Sequence, residues 1–102
     1  MAFVAFFVTY PDAQSAERSA RTLLERKVVA CANWFPIKSA YWWKGRIEEA
    51  GEVLVIFKTI AERANDVEEA IVAIHPYEVP AIERVEVSAN ASFEEWLRAV
   101  CE

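Results

Sequence analysis

The sequence predicts an α+β fold, and three observations lead there. Apolar runs of strand length alternate with stretches of helical periodicity. One pair of strand-like runs, Val28 to Lys44 and Arg46 to Ile60, holds within Cys31 to Thr59 two β-rich arms of about 14 residues each, roughly 45 Å at ~3.3 Å per residue. The order of the elements is strand, helix, strand, strand, helix, strand, helix.

Ala2 to Tyr10 reads as a strand that is apolar on both faces, as a central strand must be when both faces are covered. Pro11-Asp12 ends it, and Asp12 is placed to cap a helix. Ala16, Ala20, Leu23 and Leu24 recur at helical spacing through about Lys27, with Glu17 and Arg21 four apart on the wet face.

The two long arms meet at Lys44-Gly45, a hairpin turn flanked by aromatic and β-branched residues. That register sets Cys31 opposite Lys58. Pro36 marks the first arm as an edge strand or a bulge, and Gly51 reads as a bulge in the second. Tyr41, Trp42 and Trp43 are consecutive, so they cannot share one strand face. Arms this long overhang their own domain, and an exposed aromatic tip marks an interface. A hairpin bent back onto its own core is the alternative.

Ala61 to Ile74 reads as a second helix with Ala64, Val67, Ala70, Ile71 and Ile74 as its dry stripe. His75-Pro76 stops it. His75 to Pro80 (HPYEVP) is a proline-bracketed loop, and Ile82 to Ser88 alternates as a short strand. Ser92-x-x-Glu95 reads as a capping box, followed by a helix with Phe93, Trp96, Leu97 and Val100 on its apolar side. A right-handed crossover followed by a hairpin that fills the gap makes a ferredoxin-like βαββαβ sandwich. To it are added a long hairpin between the second and third strands and a C-terminal helix. Residues 1–102 form one domain. Two helices cover one sheet face, which leaves the other short of cover and is a second argument for an oligomer.

Composition narrows the function. The chain is 55% hydrophobic with a net charge of −5, which argues against a nucleic-acid backbone as partner. No stretch approaches the ~20 apolar residues of a membrane-spanning helix, and no positive segment precedes the apolar N-terminus, so a cytoplasmic setting is expected. Two cysteines, Cys31 and Cys101, make no disulfide framework. With one histidine and two glycines there is no nucleophile elbow and no phosphate loop, so no enzyme is expected. Glu48-Glu49 and Glu68-Glu69 are adjacent pairs that point apart, as solvated charges do.

Cys31, Cys101, His75 and Glu78 are the candidate metal ligands by residue type, thiolate and imidazole suiting copper or zinc. Their spacing matches no closed zinc pattern. A helix of about 14 residues, roughly 20 Å, carries His75 away from the end where Cys31 lies. A joint site therefore combines two subunits.

Ala30-Cys31-Ala32-Asn33, Tyr41-Trp42-Trp43-Lys44-Gly45, Phe57-Lys58-Thr59 and HPYEVP, in this order and followed by Trp96-Leu97, give the chain a strong resemblance to the CutA divalent-cation-tolerance family over nearly its whole length. Phe93, where a tyrosine is usual, is a small departure. The resemblance implies a compact homotrimer gripped by the hairpins, with Trp34, Tyr41, Trp42 and Trp43 at the interface. It also implies kinship with PII-like signalling trimers. As metal ligands it implies Cys31, His75 and Glu78, with Asn33, Lys58 and Tyr77 as pocket companions. The implied function is divalent-cation tolerance, with Cu²⁺ or another divalent cation as a non-obligatory ligand. A PII-like sensor that takes a small anionic metabolite or a protein partner in inter-subunit clefts, with Lys58 as anion contact, is the alternative.

Overall fold

The computed structural model describes residues 2–102. Strand β1 (Ala2–Tyr10) is followed by helix α1 (Ala13–Glu25), strands β2 (Cys31–Trp43) and β3 (Arg46–Thr59), a 3₁₀ turn (Ala61–Arg63), helix α2 (Ala64–Ile74), strand β4 (Ile82–Ser88) and helix α3 (Ala91–Cys101). The strands form one sheet in the order β2-β3-β1-β4, every neighbour antiparallel. This is the α+β, ferredoxin-like arrangement with its long hairpin and added C-terminal helix.

β1 is apolar on both faces because it lies between β3 and β4 with packing above and below. Val4, Phe6, Val8 and Tyr10 point into the main core with Val53, Val55 and Phe57 of β3. α1 adds Ala16, Ala20 and Leu23 to that core, and α2 adds Ala64, Val67, Ala70 and Ile71. On the other face Phe3 joins a smaller core with Ala30, Ile60, Leu97 and Cys101, the Phe3 and Phe93 rings meeting edge to face at 5.7 Å. α3 therefore covers one end of the second face.

Local chemistry sets the ends of the elements. The Asp12 carboxylate accepts from the Ser15 N–H at 2.8 Å and caps α1. At the other end of α1, Lys27 N–H donates to Leu24 C=O and Val28 N–H to Leu23 C=O. That is a Schellman motif, closed by the buried Val28–Leu23 pair, with Lys27 at φ 58 where glycine is usual. At the hairpin tip Lys44 (φ 50) and Gly45 (φ 81) both take positive φ, as a type I′ turn requires.

Sequence expectations change at Gly51 and in the second and last helices, and the two alternatives for Pro36 are decided in favour of the edge strand. Gly51 is not a bulge: it pairs with Lys38 in a register unbroken from Cys31–Lys58 to Trp43–Arg46. Pro36, opposite Val53, sits on the edge strand, where a missing N–H breaks no ladder. The second helix is two pieces, a 3₁₀ turn and then α2, and Ile74 is exposed because the chain leaves α2 there to round the end of the sheet. The last helix is capped two residues earlier than the Ser92–Glu95 box would have it. Asn90 is the N-cap, and Glu94 Oε2 accepts from Ala89 N–H at 2.8 Å. Trp96 lies on the exposed side of that helix.

A candidate cleft between the hairpin and the HPYEVP loop

α2 ends beneath the last residues of β1, and residues 75–81 round the end of the sheet before β4 begins. The crossing is pinned by His75. Tyr77 N–H donates to His75 Nδ1 at 3.0 Å, which places the ring proton on Nε2, 2.8 Å from the Thr9 carbonyl. The ring stacks on Tyr10 at 4.4 Å. Burial lowers the His75 pKa; the Thr9 bond and the Glu52 charge oppose this only in part. Burial also pushes Tyr10 up to about 12.

The loop delivers Tyr77 to the face of the sheet opposite α1 and α2. There its hydroxyl donates to Glu52 Oε2 in a short hydrogen bond. Burial and then the Glu52 contact push the Tyr77 phenol up. Tyr41, Trp43, Ser39 and Glu52 occupy one face of the hairpin by alternation from the observed register. With Thr9, Tyr77, Glu78 and Val79 they line a cleft of about 550 Å³, within the size range of small-molecule sites.

The other sequence-predicted residues lie elsewhere. Cys31 pairs with Lys58 as the register requires, and Lys58 pairs in turn with Ala5. Thr9, beside His75, is four residues further along β1, roughly 13 Å at ~3.3 Å per residue. Asn33 is next on the same face as Cys31. The structure thus groups Cys31, Asn33 and Lys58 at one end, and His75, Tyr77 and Glu78 at the other. Among the described residues no three His, Cys, Asp or Glu side chains come together to hold a metal. Burial raises the Cys31 thiol, with Lys58 opposing. The Lys58 ammonium sits 5.7 Å from the Phe93 ring centre.

The aromatic tip divides as alternation demands. Tyr41 and Trp43 face the cleft, while Trp42 lies on the opposite face across from Ile47, 72% and 58% exposed respectively. Trp34, opposite Val55, is also exposed. Glu52 was not singled out from sequence. The available signal was a lone carboxylate entering the apolar run Val53 to Phe57 at a position on the Leu54 and Ile56 face.

The family model described as CutA1 divalent ion tolerance protein matches residues 4–100. The chain belongs to the CutA1 family. A relative from Thermococcus kodakarensis, described as divalent-cation tolerance protein CutA, is 40% identical over 98% of this chain and 97% of its own length. The human protein CutA is 38% identical over 96% of this chain and 56% of its own length. Among solved structures, the one described as the periplasmic divalent cation tolerance protein CutA from Archaeoglobus fulgidus superposes with a TM-score of 0.95 at 38% identity, covering all of both chains. CutA1 from Oryza sativa gives 0.95 at 30% identity over all of this chain and 95% of that one. No helix among the described residues is long and apolar enough to cross a membrane. In this CutA1 chain the cleft and the hairpin tip lie toward the end of the sheet away from α3.

Proposed function

We propose that this chain is the one-domain subunit of a cytoplasmic homotrimer that binds divalent cations, copper foremost, and that it works by binding rather than by catalysis. The observation that carries the assembly is the open sheet face. Phe7, Phe35, Leu54, Ile56 and Val85 share it by register, Phe35 and Val85 are exposed, and α3 reaches only its Phe3 end. The molecule is 45 × 23 × 21 Å with a radius of gyration of 14.1 Å, against about 13 Å for a compact chain of this length. An apolar plane with an overhanging aromatic tip is the surface of a subunit, and a head-to-tail ring closes it. Trp34, Tyr41, Trp42 and Trp43 are the interface residues in this reading.

Such a ring brings the Cys31 end of one subunit toward the loop of the next. The ligand set is Cys31 from one chain with His75 and Glu78 from its neighbour, flanked by Asn33, Lys58 and Tyr77. Two rearrangements are required. Cys31 must lose its proton from a thiol that burial holds up, and His75 must release the Tyr77 N–H to free Nδ1, the ring nitrogen that carries the lone pair while Nε2 donates to Thr9. Native mass spectrometry with substoichiometric Cu²⁺ tests the proposal. The expected species has three times the 11.6 kDa chain mass and takes up copper in discrete steps. A monomer overturns the assembly. Unchanged copper affinity in both Cys31→Ala and His75→Ala removes the ligand set.

A second reading is favoured by Lys58, half-buried on the open face with no carboxylate paired to it among the described residues. Here a PII-like trimer takes a small anion or a protein partner in an inter-subunit cleft. A thermal-shift screen of nucleotides and carboxylates tests it. A ligand at 100 times its dissociation constant adds about 2.7 kcal/mol, so no stabilisation in the screen excludes those ligands.

A further inference from the structure

We infer that Lys58 of the partner subunit is the counter-charge of Glu52, so that the Glu52–Tyr77 pair is completed only in the assembly. This contact rests on the head-to-tail ring proposed above, and it fixes the register of that ring. Glu52 is 6% exposed, yet no ion pair among the described residues includes it. One of its oxygens accepts from the Tyr77 hydroxyl, a phenol that burial and the Glu52 contact keep protonated. A buried carboxylate is ordinarily matched by a cation, because desolvation without a counter-charge is strongly unfavourable. Among the described residues the subunit has no cation of its own to offer. Lys38 pairs with Gly51, one residue along from Glu52, and so stands on the other face of the hairpin. Arg46 and Lys58 are each six residues from Glu52 along β3, roughly 20 Å at ~3.3 Å per residue, and Lys44 lies beyond Arg46 in the turn. Arg84 lies over the Phe6 ring on the helix side and is bonded to Glu68 and Asn65. The remaining cations are on α1 and its end, on the 3₁₀ turn and on α3.

Lys58 has the converse need. It is half-buried, and no carboxylate is paired to it among the described residues. By alternation one face of β3 reads Glu52, Leu54, Ile56, Lys58, an acidic end and a basic end with an apolar middle. Stacking that face head to tail on the next subunit sets a Lys58 end against a Glu52 end. Alignments that bring like ends together are opposed by repulsion. Tyr41 and Trp43, the interface residues of the ring, line the space around Glu52 and close it when the ring forms. The hairpin tip is the poorer source of the cation. The Arg46 side chain is 78% exposed with Glu48 at 3.8 Å, and the Lys44 ammonium lies 5.7 Å from the Trp43 ring centre. Glu83 also faces this side, opposite Phe7, but it is exposed on an edge strand, where a carboxylate needs no counter-charge.

The test is a double-mutant cycle on assembly, read by native mass spectrometry and sedimentation over a dilution series of the intact protein. Lys58→Met and Glu52→Gln are each expected to weaken assembly at least about tenfold, because each leaves the other charge buried and unmatched. The double variant is expected to assemble better than either single variant, since both charges are then gone. Losses that multiply in the double variant overturn the pairing, as does unchanged assembly in Lys58→Met. Coupling of Lys58→Met to Glu83→Gln, or of Glu52→Gln to the tip variant Lys44→Ser/Arg46→Ser, also overturns it. Where Glu52→Gln does not fold, Lys58→Met decides at its half-buried position: a loosening of about tenfold or more supports the pairing, and unchanged assembly overturns it. A wild-type monomer at every concentration overturns the ring and the pairing together, whereas a wild-type trimer whose variants show no coupling overturns the pairing alone.

Discussion

The two halves of the β2–β3 hairpin are built from the same residue types by the same alternation, and they meet opposite fates. In the half that pairs with β1, Val53, Val55, Phe57 and Thr59 are buried. Past the Tyr10–Val53 pair β1 has ended, and residues 38–51 continue as two strands alone. There Trp42 and Ile47, paired across the ladder, stand in solvent. The lesson is that alternation assigns a side chain to a face, but burial needs a third strand and a helix over that face. The boundary between the halves is also where the polar chemistry collects: Glu52, Tyr77 and His75 all lie within the residue or two where cover runs out.

The largest expected break in this comparison comes from the covered half. Phe57→Ala should destabilise by about 3–5 kcal/mol through transfer loss and cavity, measured by urea unfolding at fixed protein concentration. Trp42→Ala on the uncovered half should leave the isolated subunit's stability within about 0.5 kcal/mol while lowering the oligomer mass in sedimentation. A Trp42 variant that unfolds the subunit would mean the tip is part of a core after all.

Glycine substitutions probe the same ladder at smaller scale. Gly45→Ala forces a Cβ into the left-handed region at φ 81 and should cost about 1–2 kcal/mol. Gly51→Ala meets no heavy atom within 4 Å of the new Cβ and sits in ordinary strand pairing, so it should be neutral or stabilise by up to about 1 kcal/mol. A large loss at Gly51 would restore the bulge. Outside the hairpin, Lys27→Gly relieves the φ 58 strain at the end of α1 and should add about 1 kcal/mol in thermal unfolding.

The smallest effect is a pH dependence. His75 is held neutral by burial, so its folded pKa lies below the unfolded value of about 6.5. The unfolded chain takes up the proton first as pH falls. The His75 contribution is therefore present above about pH 6.5 and declines as pH drops through that value toward the folded pKa. His75→Gln should flatten the unfolding midpoint across this window; an unchanged slope would show that the ring is solvated.

Much of the fold was legible in the chain because its signals are local. The Asp12 cap, the Lys44-Gly45 turn and the period-two arms each depend on a few adjacent residues, and together they set the Cys31–Lys58 register. The misread details share a cause: Gly51 and the Ser92–Glu95 box were judged by residue type, whereas a bulge and a helix start are decided by what the neighbouring strand and the preceding loop require. The separation of Cys31 from His75 also followed from sequence, since element lengths place residues along an axis. Glu52 did not. A glutamate in a strand is ordinarily a solvated edge charge, and nothing within a few residues says that a loop 25 positions later will close over it.

By itself, then, the sequence determined the element order, the hairpin register, the family and the overhang, because period, capping and turn chemistry act over one to four residues. Only the tertiary structure decided which carboxylate is buried, which aromatic rings converge and which sheet face stays open. Those depend on where β1 ends relative to the hairpin and on how the chain crosses from α2 to β4, and both are set by the packing of segments far apart in sequence.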